Sequence, residues 1–336
     1  MSDDTQKNTL ANTQFSVLDL APILEGSNAV ESFQNSMKLA QAVEQFGFNR
    51  YWLAEHHNMP GIASSATAVV IGYIAGATST LRVGSGGIML PNHAPLIIAE
   101  QFGTLESMYP GRIDLGLGRA PGTDQLTAYA LRRNQRVDGS EFPEQLAELR
   151  SFLQPSSQNR VRAIPGEGLS IPIWLLGSSG FSAKLAGQLG LPFAFASHFA
   201  PDYLLPALQL YRTNFQPSET LSKPYVMVGV NVIVAESDEK AKWLASSQEQ
   251  AFLNIIRGKS GKLQAPIENM DTVWSETERA MVQKMLSYSV AGSMNTVREK
   301  LLAFKQETQA DEFIVNTHVF NQEERIRSYE LLSHIV

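Results

Sequence analysis

Residues 81–118 read LRVGSGGIMLPNHAPLIIAEQFGTLESMYPGRIDLGLG. Two apolar runs, 81–90 and 113–117, flank a stretch, 95–108, whose apolar residues recur at helical spacing. A short apolar run, a helix and a second short run make the βαβ unit of a parallel sheet. The same rhythm continues in both directions. Further strand-like runs lie at 15–20, 51–54, 171–176, 193–196, 225–235 and 312–315. Helix-period stretches at 30–46, 64–78, 141–153, 181–189, 203–215, 237–256 and 296–308 separate them, and 322–335 forms a last helix. Eight strands alternating with helices predict a closed (β/α)₈ TIM barrel, with an open doubly wound sheet as the alternative. Two connections exceed the usual length of about 2–6 residues. One insertion, 120–140, follows the fourth strand; the other, 258–275, follows the seventh helix and is a candidate lid.

At 336 residues the chain has the length of one α/β barrel. It contains no cysteine, which excludes a disulfide scaffold, a thiolate zinc site, an iron–sulfur cluster and a cysteine nucleophile. With 27 basic against 33 acidic residues and no basic stripe, no nucleic-acid partner is expected. Residues 1–12 are polar, without the basic start and apolar core of a signal peptide, and read as a flexible tail before a single domain, 13–336. The longest apolar stretch, 66–77, is too short to span a bilayer. No membrane association is expected, and the location expected is the cytoplasm.

Active sites of TIM barrels sit at the C-terminal ends of the strands. Five of the six histidines follow predicted strands: His56 and His57 the second, His93 the third, His198 the sixth and His318 the eighth; His334 lies on the last helix. This reads as a histidine-lined mouth, although any one of them is also an ordinary surface residue. No metal site is expected: adjacent residues on extended chain point to opposite faces, and no HExxH or similar spacing occurs. Gly177-Ser178-Ser179-Gly180, between the fifth strand and a helix, reads as a phosphate cradle or a plain serine N-cap. The segment from Gly116 to Gly122 does not fit G-x-G-x-x-G, but Arg119 within it suits an anion near the mouth. Gly84, Gly86 and Gly87 in the third strand weaken it unless something approaches the backbone closely, or a bulge relieves crowding. Nothing suggests a G-x-S-x-G nucleophile or a paired-carboxylate glycosidase.

Four segments together carry a resemblance: residues 51–57 (YWLAEHH), 83–91 (VGSGGIMLP), 109–120 (YPGRIDLGLGRA) and 292–298 (GSMNTVR). They resemble the bacterial-luciferase-like flavin-dependent monooxygenases, in particular the group-one luciferase-like oxidoreductases, over the chain from about residue 15 onward. The resemblance implies a TIM barrel that binds reduced FMN, delivered by a separate NAD(P)H:flavin reductase, and uses O₂ to oxidise a small organic substrate. It assigns His56 as the catalytic histidine. Gly86 and Gly87 would lie against the isoalloxazine, joined by a cis peptide. Arg119 and the loop of Gly177, Ser178, Ser179 and Gly180 would take the phosphate. His57, His93, His198 and His318 are expected to shape the substrate pocket, and Glu100 either joins the polar network beside the flavin or is an ordinary helix residue. Luciferase itself has a cysteine where Gly118 stands and a glutamate where Gly177 stands, so long-chain aldehyde oxidation and light emission are not implied. Relatives that use F420 for hydride transfer, or a non-catalytic flavin-binding protein on the same scaffold, are the alternatives. The nearly uncharged stretch 61–78 is expected to be covered by a second copy in a homodimer.

Overall fold

Eight parallel strands close on themselves. The computed structural model describes residues 10–120, 122–132, 139–155 and 160–335. The barrel strands are β1 (Gln14–Asp19), β2 (Arg50–Leu53), a third strand split into β3 (Arg82–Ser85) and β4 (Ile88–Met89), β5 (Ile113–Gly118), β6 (Ile173–Gly177), β7 (Phe193–Phe195), β8 (Val226–Val234) and, after a short β9 (Val290–Gly292), β10 (Glu312–Asn316). β10 pairs in parallel with both β8 and β1, which closes the ring and excludes the open sheet. The strands read as near-continuous apolar runs because they are covered on both sides; all nine residues of β8 are buried.

Helices cover the outside: α1 (Ala29–Gln45), α2 (Thr67–Gly76), α3 (Pro95–Met108), α4 (Gln125–Arg132), α5 (Phe142–Leu153), α6 (Gly180–Leu189), α7 (Leu204–Asn214), α8 (Asp238–Ile256), α9 (Glu276–Met285), α10 (Met294–Thr308) and α11 (Gln322–Ser333). Their starts use sequence-local caps. Asn28 accepts from Val30 N–H, and Ser275 forms a capping box with Glu278. Among the described residues no helix is long and apolar enough to cross a membrane.

Both long connections carry structure of their own. The first contains α4, and its residues 133–138 lie outside the described residues. The second is strapped across the barrel mouth: Leu263 exchanges backbone hydrogen bonds with Ile23 and Glu25, 2.9 and 2.8 Å long. The last three residues of the tail expected over 1–12 are ordered. Leu10–Asn12 form a 3₁₀ turn with Leu10 buried in the core; residues 1–9 lie outside the described residues.

Inside the ring, Leu18, Trp52, Trp174, Ala194, Met227 and Ile314 pack together. Below them, at the strands' N-terminal ends, lies a plug of buried charge. Asp114 receives Arg50 Nη1 at 2.7 Å and Arg82 Nη2 at 2.5 Å, and Glu312 receives Arg50 Nε at 3.0 Å and the Tyr225 hydroxyl at 2.9 Å. The Arg50 guanidinium also lies over the Trp174 ring, 4.9 Å from its centre.

Candidate active site

The other end of the barrel opens into a cavity of about 480 Å³. Leu18, Trp52, Leu176, Ala194 and Ile314, side chains of the inner barrel, form its bottom. The Gly86–Gly87 peptide, where β3 breaks from β4, is cis, and both glycines line the cavity. Crowding by neighbouring strands accounts for these glycines directly. A Cβ on Gly86 would meet Leu18 Cδ1 at 2.8 Å, and one on Gly87 would meet the Gly116 carbonyl at 2.8 Å. At Gly84 it would collide with the Asp114 backbone.

His56, His198 and His318 line this cavity together. His56 Nδ1 lies 3.3 Å from the Gly122 carbonyl. A carbonyl only accepts, so Nδ1 carries the proton and Nε2 keeps a lone pair. Burial lowers the pKa of His56, and it lowers those of His198 and His318 to about 3 and about 4. Charge on neighbouring His318 adds to the effect at His198, and Arg325 adds to it at His318. At neutral pH the chamber is therefore lined by uncharged imidazoles.

His57 and His93 do not face this chamber, contrary to the expectation of one histidine-lined mouth. They turn to Glu55 and line a second, smaller cavity with Thr67 and Gln101. The cause is the alternation of side chains on extended backbone, which sends His56 and His57 opposite ways. His57 Nε2 and His93 Nε2 each lie 3.0 Å from Glu55 Oε1. The donor atoms of these three residues fall within 4.8 Å of one another, a set able to hold a divalent cation. The sequence spacing gave no sign of it, because His93 arrives from the following βα loop. Glu55 is also held by Met89 N–H at 3.1 Å and Asn92 Nδ2 at 3.2 Å. Burial would raise its pKa, but the hydrogen bonds from His57, His93 and Asn92 outweigh that and hold it at about 2. Its direct effect is mechanical: it ties the chain just beyond the Gly86–Gly87 peptide to the residue before His56.

At another wall of the cavity lie Arg119, Gly177, Ser178 and Ser179. Ser179 precedes α6 with extended backbone, and its hydroxyl makes no capping bond, so the plain N-cap reading fails. The Arg119 guanidinium stacks on Phe181, 4.3 Å from the ring centre. Gly180 is not part of the wall. Its missing Cβ would lie 2.8 Å from Leu210 Cδ1, so close helix packing is what it serves. Glu100 lines neither cavity. Two residues that sequence reading passed over, Asn231 and Asn316, are buried beside His198 and His318. An asparagine inside the otherwise apolar run of β8 was the available signal, since a buried amide requires partners.

Fold and cavity define a barrel enzyme with its chemistry at the C-terminal ends of the strands. The chain belongs to the luciferase-like monooxygenase family, whose model matches residues 13–312. It is 57% identical to the luciferase-like monooxygenase of Escherichia coli K12, over 94% of this chain and 95% of that one. It is 33% identical to the N-acetyl-S-alkylcysteine monooxygenase of Bacillus subtilis, covering 96% and 98%. Among solved structures, apo-MsnO8 superposes with a TM-score of 0.86 at 32% identity, covering 96% and 98% of the two chains. The oxygenating constituent of 3,6-diketocamphane monooxygenase from Pseudomonas putida, solved with FMN, shares the fold at a TM-score of 0.75 and 18% identity, covering 96% of each chain. The protein is thus an enzyme, a monooxygenase of this family.

Proposed function

We propose that the cavity takes reduced FMN and that the enzyme uses it with O₂ to oxidise a small organic substrate. The observation that carries this reading is the joining, in one cavity, of an anion-binding end to a neutral chamber. Arg119, the Ser178 and Ser179 hydroxyls and the start of α6 suit a phosphate. The Gly86–Gly87 edge, Trp52 and Leu176 offer a flat apolar bed for a ring system. When bound, the reduced flavin supplies the electrons that activate O₂. The chain's own residues then orient, exclude water and handle protons. His56, with its lone pair on Nε2, is the acid/base group, and His198 and His318 border the substrate. The strapped segment around Leu263 closes one side of the chamber against solvent.

No flavin-reducing step is assigned to this chain, and reduced FMN comes from a separate NAD(P)H:flavin reductase. The protein is proposed to act as a cytoplasmic homodimer. α2 carries no charge and exposes Val69 at 73% and Tyr73 at 43%, an apolar surface that a second copy would cover. A dimeric mass by light scattering is the expected result, and a monomeric mass would refute this part. For the cofactor, FMN and riboflavin are titrated by fluorescence. FMN is expected to bind at least about tenfold more tightly, a difference of about 1.4 kcal/mol. Equal affinities would remove the phosphate site and, with it, the assignment of Arg119.

A further inference from the structure

Behind the histidines runs a chain of buried amides whose direction can be read from one end. Asn231 and Asn316 sit opposite each other in the register of β8 and β10. Asn231 Nδ2 donates to the His198 carbonyl at 2.6 Å and to Ser289 Oγ at 3.0 Å. A backbone carbonyl only accepts, so this end of the amide is the NH₂ and its Oδ1 points the other way. That Oδ1 receives Asn316 Nδ2 at 3.1 Å. Turning the Asn316 amide over would set two oxygens against each other, so its orientation follows. The same Nδ2 lies 3.3 Å from His318 Nδ1, which must therefore be the accepting nitrogen. The neutral ring then carries its proton on Nε2. Among the described residues Nε2 has no hydrogen-bond partner, and His318 lines the cavity.

His198 stands beside it. Its ring packs so tightly on Gly229 that any Cβ there would collide with Nδ1, which is buried without a partner. Asn316 Oδ1, in a residue that also lines the cavity, is likewise buried and unpartnered. Buried polar atoms left unpaired in a cavity wall mark positions for a ligand's polar atoms.

We propose that His318 Nε2–H is a fixed donor that orients the substrate, and that the substrate carries an uncharged oxygen acceptor, a ketone, ester or amide carbonyl, beside the group oxidised. His56 offers a lone pair and His318 a proton, so the two rings present complementary faces to one ligand. A carboxylate is disfavoured at this wall because burial keeps the imidazoles neutral and the nearby Arg325 is already paired with Asp19 at 2.9 Å and does not line the cavity. The cations that line the cavity are elsewhere: Arg119 at the phosphate end, and Lys262 with its Nζ 2.7 Å from the Ser27 carbonyl. This inference rests on the reading of the cavity as the site of substrate oxidation.

The test has two arms, neither of which needs flavin. In the first, long-range ¹⁵N NMR of the histidine rings reads the tautomer of His318. Nε2–H is expected in the full-length protein, and Nδ1–H would overturn the inference. In the second, methyl cyclohexanecarboxylate and cyclohexanecarboxylate are titrated as a neutral carbonyl and an anion of like shape. The ester is expected to move the His318 signals and to bind at least about tenfold more tightly. H318F is expected to erase the preference, and H318Q, which keeps an N–H donor, to restore it. Equal or reversed affinities, or no movement of the His318 signals by either probe, would overturn the inference. If both arms hold while FMN fails to bind, the cofactor assignment falls and the donor stands. If FMN binds and the arms fail, only the donor falls.

Discussion

The two ends of the barrel handle polarity in opposite ways. At the N-terminal end, Arg50, Arg82, Asp114 and Glu312 are packed into a plug in which each charge meets an opposite one at 2.5–3.0 Å. At the C-terminal end the wall formed by His56, His198, His318 and Asn316 is neutral, and among the described residues several of its atoms have no partner: His198 Nδ1, Asn316 Oδ1 and the outward nitrogens of His56 and His318. A buried ion pair holds its geometry because breaking it strands a charge. A wall of unpaired neutral donors and acceptors gains only when a ligand arrives. The first end is thus built to stay shut and the second to be filled. Between them lies one layer of side chains, in which Trp52 serves both: its Nε1 donates to Asp114 at 3.2 Å while its ring borders the cavity.

The sharpest division between the ends is expected from His56→Ala. Loss of the acid/base group should lower turnover by about 10²–10⁴-fold. FMN affinity should change by less than about tenfold, and the urea midpoint should barely move. A large loss of FMN affinity with normal turnover of the bound cofactor would contradict the role given to the mouth. At the floor the pattern inverts. Asp114→Ala leaves Arg82 and half of Arg50 unpaired, and breaking a buried pair in this way costs about 3–5 kcal/mol. Urea unfolding measures it; a loss below about 1 kcal/mol would mean that the plug is wetter than its burial implies. Arg119→Ala comes next. Losing a charge-assisted hydrogen bond, worth about 1.5–3 kcal/mol, should weaken FMN by roughly ten- to a hundredfold and leave riboflavin unaffected. Equal weakening of both would place Arg119 on the ring instead of the phosphate.

The barrel was legible because its strands are buried on both faces, so each prints an unbroken apolar run, and β8 is the extreme case. Within the apolar run 81–90 the split between β3 and β4 was announced only by its glycines and by the Gly86–Gly87 cis peptide that the resemblance implied and the structure contains. α9 was missed because only Val282 of its ten residues is buried, leaving little apolar periodicity to read. That His56, Arg119 and the two serines line one cavity was legible from their position after strands. The separation of His57 and His93 from the chamber was not, because Glu55, which gathers them, reads in the sequence only as one residue of the segment 51–57. The plug was invisible for a related reason. Its four charges come from four strands, and nothing in any one strand announces the other three.

The smallest effect separates the ends by pH. His198 and His318 have folded pKa values of about 3 and about 4, below the ordinary histidine value near 6.5. The folded chain therefore refuses protons that the unfolded chain accepts. For groups depressed in this way the stability is fully present above about pH 6.5 and is lost as the pH falls toward the folded values. Each such histidine should contribute a slope of up to about 1.4 kcal/mol per pH unit between about pH 6 and 4.5, and His56, lowered in the same direction, adds to it. Carboxylates held low in the fold, among them the buried Asp19 and Glu55, begin to matter only below the ordinary carboxylate range, about pH 4.5. Acid should therefore loosen the mouth before it touches them. Urea midpoints measured from pH 7.5 to 4.5 test this: the midpoint should fall as the pH drops below 6.5, and H198F, which keeps the ring's bulk but cannot take a proton, should flatten the fall by one histidine's share. A midpoint that stays level from pH 7 to 5, or an unchanged slope in H198F, would mean that these rings are charged or wet in the folded protein, and the contrast between a shut floor and a neutral mouth would lose its lower half.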